Sequence, residues 1–260
     1  MLTKRLIACF DIIGGRVTKA IKFQDNIDVA PAEELAETMY NEGVDELIFY
    51  DILASAEKRG PDTEMVKKVA ARVFIPFTVG GGIKNLDDMY ETLKAGAEKI
   101  SVDSMAVRNP DIIGQGAKAF GTQCIVLSTQ VKKTGTTPSG YEVYIDGARQ
   151  ATGRDAIEWI KEGQERGAGE ICINSIDQDG TLAGYDLELM KLADKAVTVP
   201  LIASGGAGTP EHLKALFTET EALAAIISSM LYSPRMERNY PVRVLKEYLA
   251  EQSINIRPFS

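Results

Sequence analysis

Short, continuously apolar runs alternate with longer stretches of helical periodicity along the whole chain. The runs cover roughly Arg5–Phe10, Glu46–Tyr50, Ile75–Val79, Lys99–Val102, Cys124–Thr129, Glu170–Asn174, Pro200–Ala203 and Ala222–Ile227. Being brief and apolar at successive positions, they suit strands buried on both faces, as in a parallel sheet. Between them the spacing predicts helices near residues 31–42, 63–72, 85–95, 109–119, 154–166, 187–194, 210–218 and 240–251. Pro31, Asn85 and Thr209 suit helix starts, and Gly43, Gly96 and Gly167 suit helix stops. Eight strand–helix units in strict alternation predict an α/β fold, the (β/α)8 TIM barrel, with an open doubly wound sheet as the second choice. No linker interrupts the pattern, so residues 1–260 read as one domain. Two irregular stretches, Gly14–Val29 and Lys132–Arg154, follow the first and fifth strands. Loops at such places usually serve an active site.

The second half of the chain repeats the first at an offset of 124 residues. Glu42-Gly-Val-Asp-Glu-Leu47 answers to Arg166-Gly-Ala-Gly-Glu-Ile171, Gly81-Gly82 to Gly205-Gly206, and Ser104 to Ser228. Three stretches in one register imply two duplicated half-barrels, which favours closure of the sheet over an open one. Glycines after a strand let backbone N–H groups approach a phosphate. Two copies therefore imply two phosphate sites on opposite sides of one scaffold, and a substrate with a phosphate at each end. The competing reading is a pair of tight turns without a ligand.

Composition narrows the class. At 45% hydrophobic and 25% charged the chain has an ordinary globular balance, and its net charge of −8 argues against a broad nucleic-acid footprint. Cys9, Cys124 and Cys172 lie in strand-like runs without paired spacing, which reads as reduced thiols in a cytoplasmic protein with no zinc motif. No apolar stretch reaches the length of a membrane span, and the N-terminal run is too short for a signal peptide.

Chemistry in a barrel sits at the C-terminal ends of the strands. Those ends carry Asp11, Asp51, Gly80-Gly81-Gly82, Asp103-Ser104, Gln130, Asp177 with Asp179, Ser204-Gly205-Gly206 and Ser228. Asp11 ends a buried run, where a carboxylate is costly unless it has work or partners. It reads as a general acid or base, against the alternative of a loop-bracing side chain. Ser104 and Ser228 are each placed to add a hydroxyl donor to a phosphate, and Gly180-Thr181 forms a further turn near them. At the opposite ends of the strands stand Arg5, Glu46, Lys99 and Glu170, two of each sign, which would balance as a ring across the barrel floor. A structural salt-bridge plug accounts for that ring by itself. His212, the only histidine, sits early in a helix and reads as a surface residue without catalytic work.

These residues together resemble the cyclase subunit of imidazole glycerol phosphate synthase, a (β/α)8 barrel of histidine biosynthesis. The resemblance runs through Lys4-Arg5-Leu-Ile-Ala-Cys9-Phe-Asp11, Phe77-Thr-Val-Gly-Gly-Gly-Ile83, Gly169-Glu170-Ile, Ser175-Ile-Asp-Gln-Asp-Gly180-Thr and Ile202-Ala-Ser-Gly-Gly-Ala-Gly208. It implies a lyase acting on a bisphosphorylated ribulosyl-formimino precursor, with ammonia from a glutaminase subunit docked on the barrel floor. By the same resemblance Arg5, Glu46, Lys99 and Glu170 form the ammonia gate, and Lys19 is the lysine of a mobile loop. Gly82, Ser104, Asp179, Gly180, Ser204, Gly206 and Ser228 fall among the substrate and phosphate contacts. No metal or organic cofactor is implied.

The chain departs from the family pattern at its mouth. The family uses aspartates as acid and base at the ends of strands one and five; Asp11 matches the first, but Gln130 stands at the second. A carboxamide does not titrate near neutral pH, and losing one member of such a pair costs about 10²–10⁴-fold in rate. Asp103, counted among the substrate and phosphate positions, stands where the family has asparagine beside a phosphate, which a carboxylate would repel unless protonated or turned away. Ile27 and Ala30 replace an arginine and a glycine. The expected function is therefore an ammonia-dependent cyclase of lowered activity. The alternatives are a non-catalytic partner of a glutaminase and a diverged paralogue that channels ammonia to a different acceptor.

Overall fold

A computed structural model describes residues 2–21, 24–54, 57, 59–233 and 239–259. Its strands are β1 (Arg5–Ile13), β2 (Arg16–Ile21), β3 (Gln24–Pro31), β4 (Glu46–Asp51), β5 (Phe77–Gly80), β6 (Lys99–Val102), β7 (Ile125–Lys133), β8 (Tyr141–Ile145), β9 (Gln150–Asp155), β10 (Glu170–Ser175), β11 (Leu201–Ser204) and β12 (Ala224–Ile226). The helices are α1 (Ala32–Asn41), α2 (Thr63–Ala70), α3 (Leu86–Lys94), α4 (Ser104–Arg108), α5 (Asp111–Phe120), α6 (Ala156–Arg166), α7 (Leu187–Asp194), α8 (Pro210–Glu219), α9 (Ser228–Tyr232) and α10 (Val242–Glu251). Strands β1, β4, β5, β6, β7, β10, β11 and β12 pair in parallel in that order, and β12 pairs back on β1. The sheet is thus a closed eight-stranded barrel ringed by helices, the (β/α)8 fold expected from the alternation.

Strand parity divides the interior into two cores, because successive side chains point to opposite faces. Leu6, Ala8, Phe10 and Ile12 of β1 point outward and join Leu47, Phe49, Val79, Ile100 and Leu127 under the helices. Ile7, Ile48, Val126, Cys172, Ile202, Ala224 and Ile226 point inward and fill the barrel. Each strand is apolar on both faces, which is why its sequence reads as a continuous run. A large apolar side chain contributes about 1.5–3 kcal/mol when fully buried, so the outer layer outweighs any single ion pair.

The helix signals act as capping physics requires. The Asn85 side chain accepts from the Asp88 N–H at 2.8 Å to open α3, and Gly167 closes α6 at φ 111°. His212 is half-buried rather than a plain surface residue. Its Nδ1 accepts from the N–H groups of Gly208 and Thr209 and closes the start of α8.

Both stretches expected to be irregular contain strands. After β1 the chain folds into β2 and β3, and after β7 into β8 and β9, each time antiparallel to the strand before. Residues 22 and 23 of the first stretch lie outside the described residues. Register shows that the two arms are equivalent, since Asp11 pairs with Tyr50 as Gln130 pairs with Asn174. Tyr50 and Asn174 keep the offset of 124, while Asp11 and Gln130 are 119 apart, so the second arm is the longer.

The last helix is tied to the first strands by a buried charge pair. Lys246 Nζ lies 2.8 Å from Asp45 Oδ1, with both side chains no more than 4% exposed, and Asp45 Oδ2 accepts from the Leu6 N–H at 2.8 Å. Removing the lysine alone strands a buried carboxylate, at a cost of about 3–5 kcal/mol. Lys246→Met should lower unfolding free energy by that amount in urea titration, and Asp45→Asn/Lys246→Met by less. A loss from Lys246→Met below about 1 kcal/mol would contradict this role for the pair.

Candidate active site

Inward parity carries the same strands from the floor of the barrel to its mouth. Along β1 the inward positions are Arg5, Ile7, Cys9 and Asp11; along β6 and its end Lys99, Ser101 and Asp103; along β7 Val126, Ser128 and Gln130; along β10 Glu170, Cys172 and Asn174. Charges occupy the floor, apolar and hydroxyl groups the middle, and carboxyl and amide groups the mouth.

At the floor the four charges close into a ring. Arg5 bonds Glu46 at 2.5 Å and Glu170 at 2.9 Å, while Lys99 bonds Glu46 at 3.2 Å and Glu170 at 2.8 Å. Each cation touches both anions, which meets the pairing demand that burial imposes. Above the apolar layer the Tyr50 hydroxyl donates to Ser128 Oγ at 3.2 Å and lies 3.3 Å from Ser101 Oγ. Gly80 makes room for that ring, since a Cβ there would lie 2.8 Å from it.

At the mouth lies a cavity of about 390 Å³. Asp11, Gln130, Lys19, Gly82, Asp103, Ser104, Asp179, Gly180, Ser204, Gly206 and Ser228 all line it. In the ring of strands β5 and β6 stand opposite β11 and β12, so the two glycine loops face each other across the mouth; β1 and β7 stand opposite on the crossing line. The glycines also serve packing. A Cβ on Gly81 would meet the Asp51 carbonyl at 2.3 Å and one on Gly205 the Ser175 carbonyl at 2.8 Å, equivalent contacts in the two halves.

The serines are less alike than their register. Ser104 Oγ accepts from the Asp146 N–H at 3.0 Å and retains its proton to donate. Ser228 Oγ donates to the Cys9 carbonyl at 2.7 Å and accepts from the Cys9 N–H at 2.8 Å, so its hydroxyl proton is committed to the barrel wall. Lys19 sits on β2 with its ammonium 5.7 Å from the centre of the Tyr232 ring.

Gln130 and Asp103 are in direct contact: Gln130 Nε2 donates to Asp103 Oδ2 at 2.6 Å. Burial pushes the Asp103 carboxyl up to about 7; the Gln130 hydrogen bond opposes this, Asp146 adds to it, and Arg108 opposes it. Burial also raises Asp11, against the pull of Lys19 and with a smaller push from Asp179. The mouth therefore holds two carboxyls displaced toward the pH range where proton transfer is efficient.

Sequence reasoning missed Asn174, Arg108 and Arg149, which also line the cavity. Parity would have found Asn174, four residues beyond Glu170 on the same inward face. Arg149 arrives on the β8–β9 hairpin, whose Asp146-Gly147 turn between alternating residues is a hairpin signal.

Fold and cavity together define a (β/α)8 barrel whose mouth holds two raised carboxyls between two glycine loops and whose floor is charged. The sequence pattern of the histidine biosynthesis protein family matches residues 5–237. The imidazole glycerol phosphate synthase subunit HisF of Syntrophobacter fumaroxidans is 50% identical over 260 residues, 99% of each chain. That of Desulforapulum autotrophicum is 51% identical over the same span, and that of Nitratidesulfovibrio vulgaris 53% identical over 235 residues, 89% of this chain and 91% of its own. The chain belongs to the histidine-biosynthesis family and is an enzyme of its cyclase-subunit type.

A stability measurement checks the Asp103 environment. Its folded pKa of about 7 lies above the unfolded value near 3.9, so the folded state holds the extra proton between these limits. The carboxyl's contribution is full below about pH 4 and is lost as pH rises through about 7. Asp103→Asn should therefore gain stability relative to the parent by about 2–4 kcal/mol between pH 4 and pH 8. A difference that does not change with pH would contradict the buried-carboxyl account.

Proposed function

We propose that this chain is the ammonia-dependent cyclase of an imidazole glycerol phosphate synthase. It forms imidazole glycerol phosphate and aminoimidazole carboxamide ribotide from a bisphosphorylated ribulosyl-formimino precursor. The observation that carries this reading is the axial arrangement: a closed ring of Arg5, Glu46, Lys99 and Glu170 below, and a mouth with Asp11 and Gln130 on opposite strands between two glycine loops.

Closing an imidazole ring around an ammonia nitrogen moves protons in both directions. The attacking nitrogen must shed them, and the departing oxygen and nitrogen must gain them. Asp11, raised by burial, is the group on β1 that accepts and returns such protons. Gln130 positions the substrate through its amide. One phosphate sits at Gly82 and the Ser104 hydroxyl, the other at Gly180, Ser204, Gly206 and the backbone rather than the hydroxyl of Ser228, with Lys19 near Asp11 as a mobile cation and Asp179 at the rim. The opposed glycine loops support a ligand that is charged at both ends.

Ammonia enters through the floor ring from a glutaminase subunit in the same cytoplasm. Leu2 and Phe74, 68% and 80% exposed, precede β1 and β5 and so belong to the floor end, where a partner surface would cover them.

Turnover of the bisphosphorylated precursor with saturating ammonium tests the reading. The isolated chain should turn over, and Asp11→Asn should lower kcat by about 10²–10⁴-fold. Absence of turnover in both the chain and its Gln130→Asp variant would sink the cyclase assignment in favour of a different ammonia acceptor. Phe74→Asp should cut glutamine-dependent turnover by about tenfold or more through weaker docking, leaving ammonium-dependent turnover within about twofold. Equal losses in both assays would contradict a docking role.

A further inference from the structure

Five carboxylates line the mouth cavity: Asp11, Asp51, Asp103, Asp146 and Asp179. Asp51 is ion-paired with Arg59 and accepts from the N–H groups of Leu53 and Ala54, so it braces the loop after β4. Asp146 is ion-paired with Arg108 at 2.5 Å. Asp179 is exposed to solvent in the loop after β10. Only Asp11 and Asp103 remain as sheltered carboxyls without an ion pair among the described residues.

We infer that Asp103, held by the Gln130 amide, is the second proton-transfer group of this site and works with Asp11. The inference rests on the cyclase reading and deepens it by naming a catalytic residue. Asp103 ends β6 beside Gln130 at the end of β7, so a carboxyl on β6 stands one strand from position 130. The amide N–H donated to Oδ2 at 2.6 Å blocks a proton there and favours the ionised form of that oxygen. The other oxygen, Oδ1, is buried with no hydrogen-bond partner among the described residues. A buried carboxylate oxygen without a donor is unfavourable, so Oδ1 is where the transferable proton resides. Gln130 is then a positioning residue that orients the acid.

The step balances within the site. Rotation of the carboxyl about its Cβ–Cγ bond turns the O–H from its sheltered place toward the cavity that Asp103 lines. The O–H bond then breaks as its proton passes to the leaving atom of the substrate, which keeps the electron pair of its broken bond to carbon. Asp103 is left as a carboxylate steadied by the Gln130 N–H. It regains a proton from the nitrogen that has formed the new bond to carbon, and ends as it began. Its titration is set first by burial and then by Gln130 on β7, Asp146 at the hairpin tip and Arg108 on α4.

The test measures ammonium-dependent turnover against pH for the parent chain, Asp103→Asn, Gln130→Leu and Asp103→Asn/Gln130→Asp. Asp103→Asn should lower kcat by about 10²–10⁴-fold with KM changed less than about threefold, and should remove the limb of the kcat/KM profile near pH 7. Gln130→Leu should move that limb to higher pH, a change that loss of packing alone would not produce. The double variant returns the carboxyl to the neighbouring strand and should recover to within about tenfold of the parent. If the parent turns over and Asp103→Asn stays within threefold with its pH profile intact, the inference is overturned and the cyclase reading stands. If the parent is inactive and only the double variant turns over, Asp103 does not serve as the acid, although the site is a cyclase site. If neither turns over, the cyclase reading fails and the inference falls with it.

Discussion

Alternation of side chains along eight closed parallel strands is the constraint on which the rest of this molecule depends. Once Leu6, Phe10, Leu47 and Leu127 must face the helices, Arg5, Asp11, Glu46 and Gln130 have no choice but to face the barrel axis. The floor ring and the mouth are therefore one feature seen at its two ends. A shift of one residue in β1, β4, β6 or β10 would turn a charged floor residue into the apolar outer layer and break the ring. The apolar pattern thus protects the chemistry without touching it.

The two ends solve opposite electrostatic problems. At the floor each cation meets both anions, and the charges neutralise one another in a sheltered place. At the mouth Asp103 has an amide instead of a cation, and burial moves its proton affinity into the physiological range. A guanidinium in place of the Gln130 amide would fix Asp103 as a carboxylate and end any exchange of protons. An apolar residue there would leave it protonated. A neutral donor holds it between these limits, which is the condition for an acid that must recover after each turnover.

Much of this was legible from the order of residues, and the rest failed for identifiable reasons. The barrel strands showed themselves because burial on both faces leaves a continuous apolar run. The arms after β1 and β7 did not: β9 has no buried residue, and β8, although Tyr141, Val143 and Ile145 are buried at alternate positions, is only five residues long. The duplication located the glycine loops and the paired serines, but not that Ser228 would spend its hydroxyl on the Cys9 backbone. Asp103 and Gln130 were each visible as departures from a family pattern. Their contact was not, since it joins residues 27 apart through side-chain conformations that spacing does not encode. The same holds for Tyr50, whose reach across the barrel depends on the absent side chain of Gly80.

The most direct measurement is a crystal structure of the chain with its bisphosphorylated precursor bound in the absence of ammonia. On this account one phosphate lies at Gly82 and Ser104, the other at Gly180 and Gly206, and the carboxyls of Asp11 and Asp103 each approach the formimino segment within about 3.5 Å. A precursor bound with both phosphates on one side of the mouth, or with Asp103 turned away behind Gln130, would contradict it.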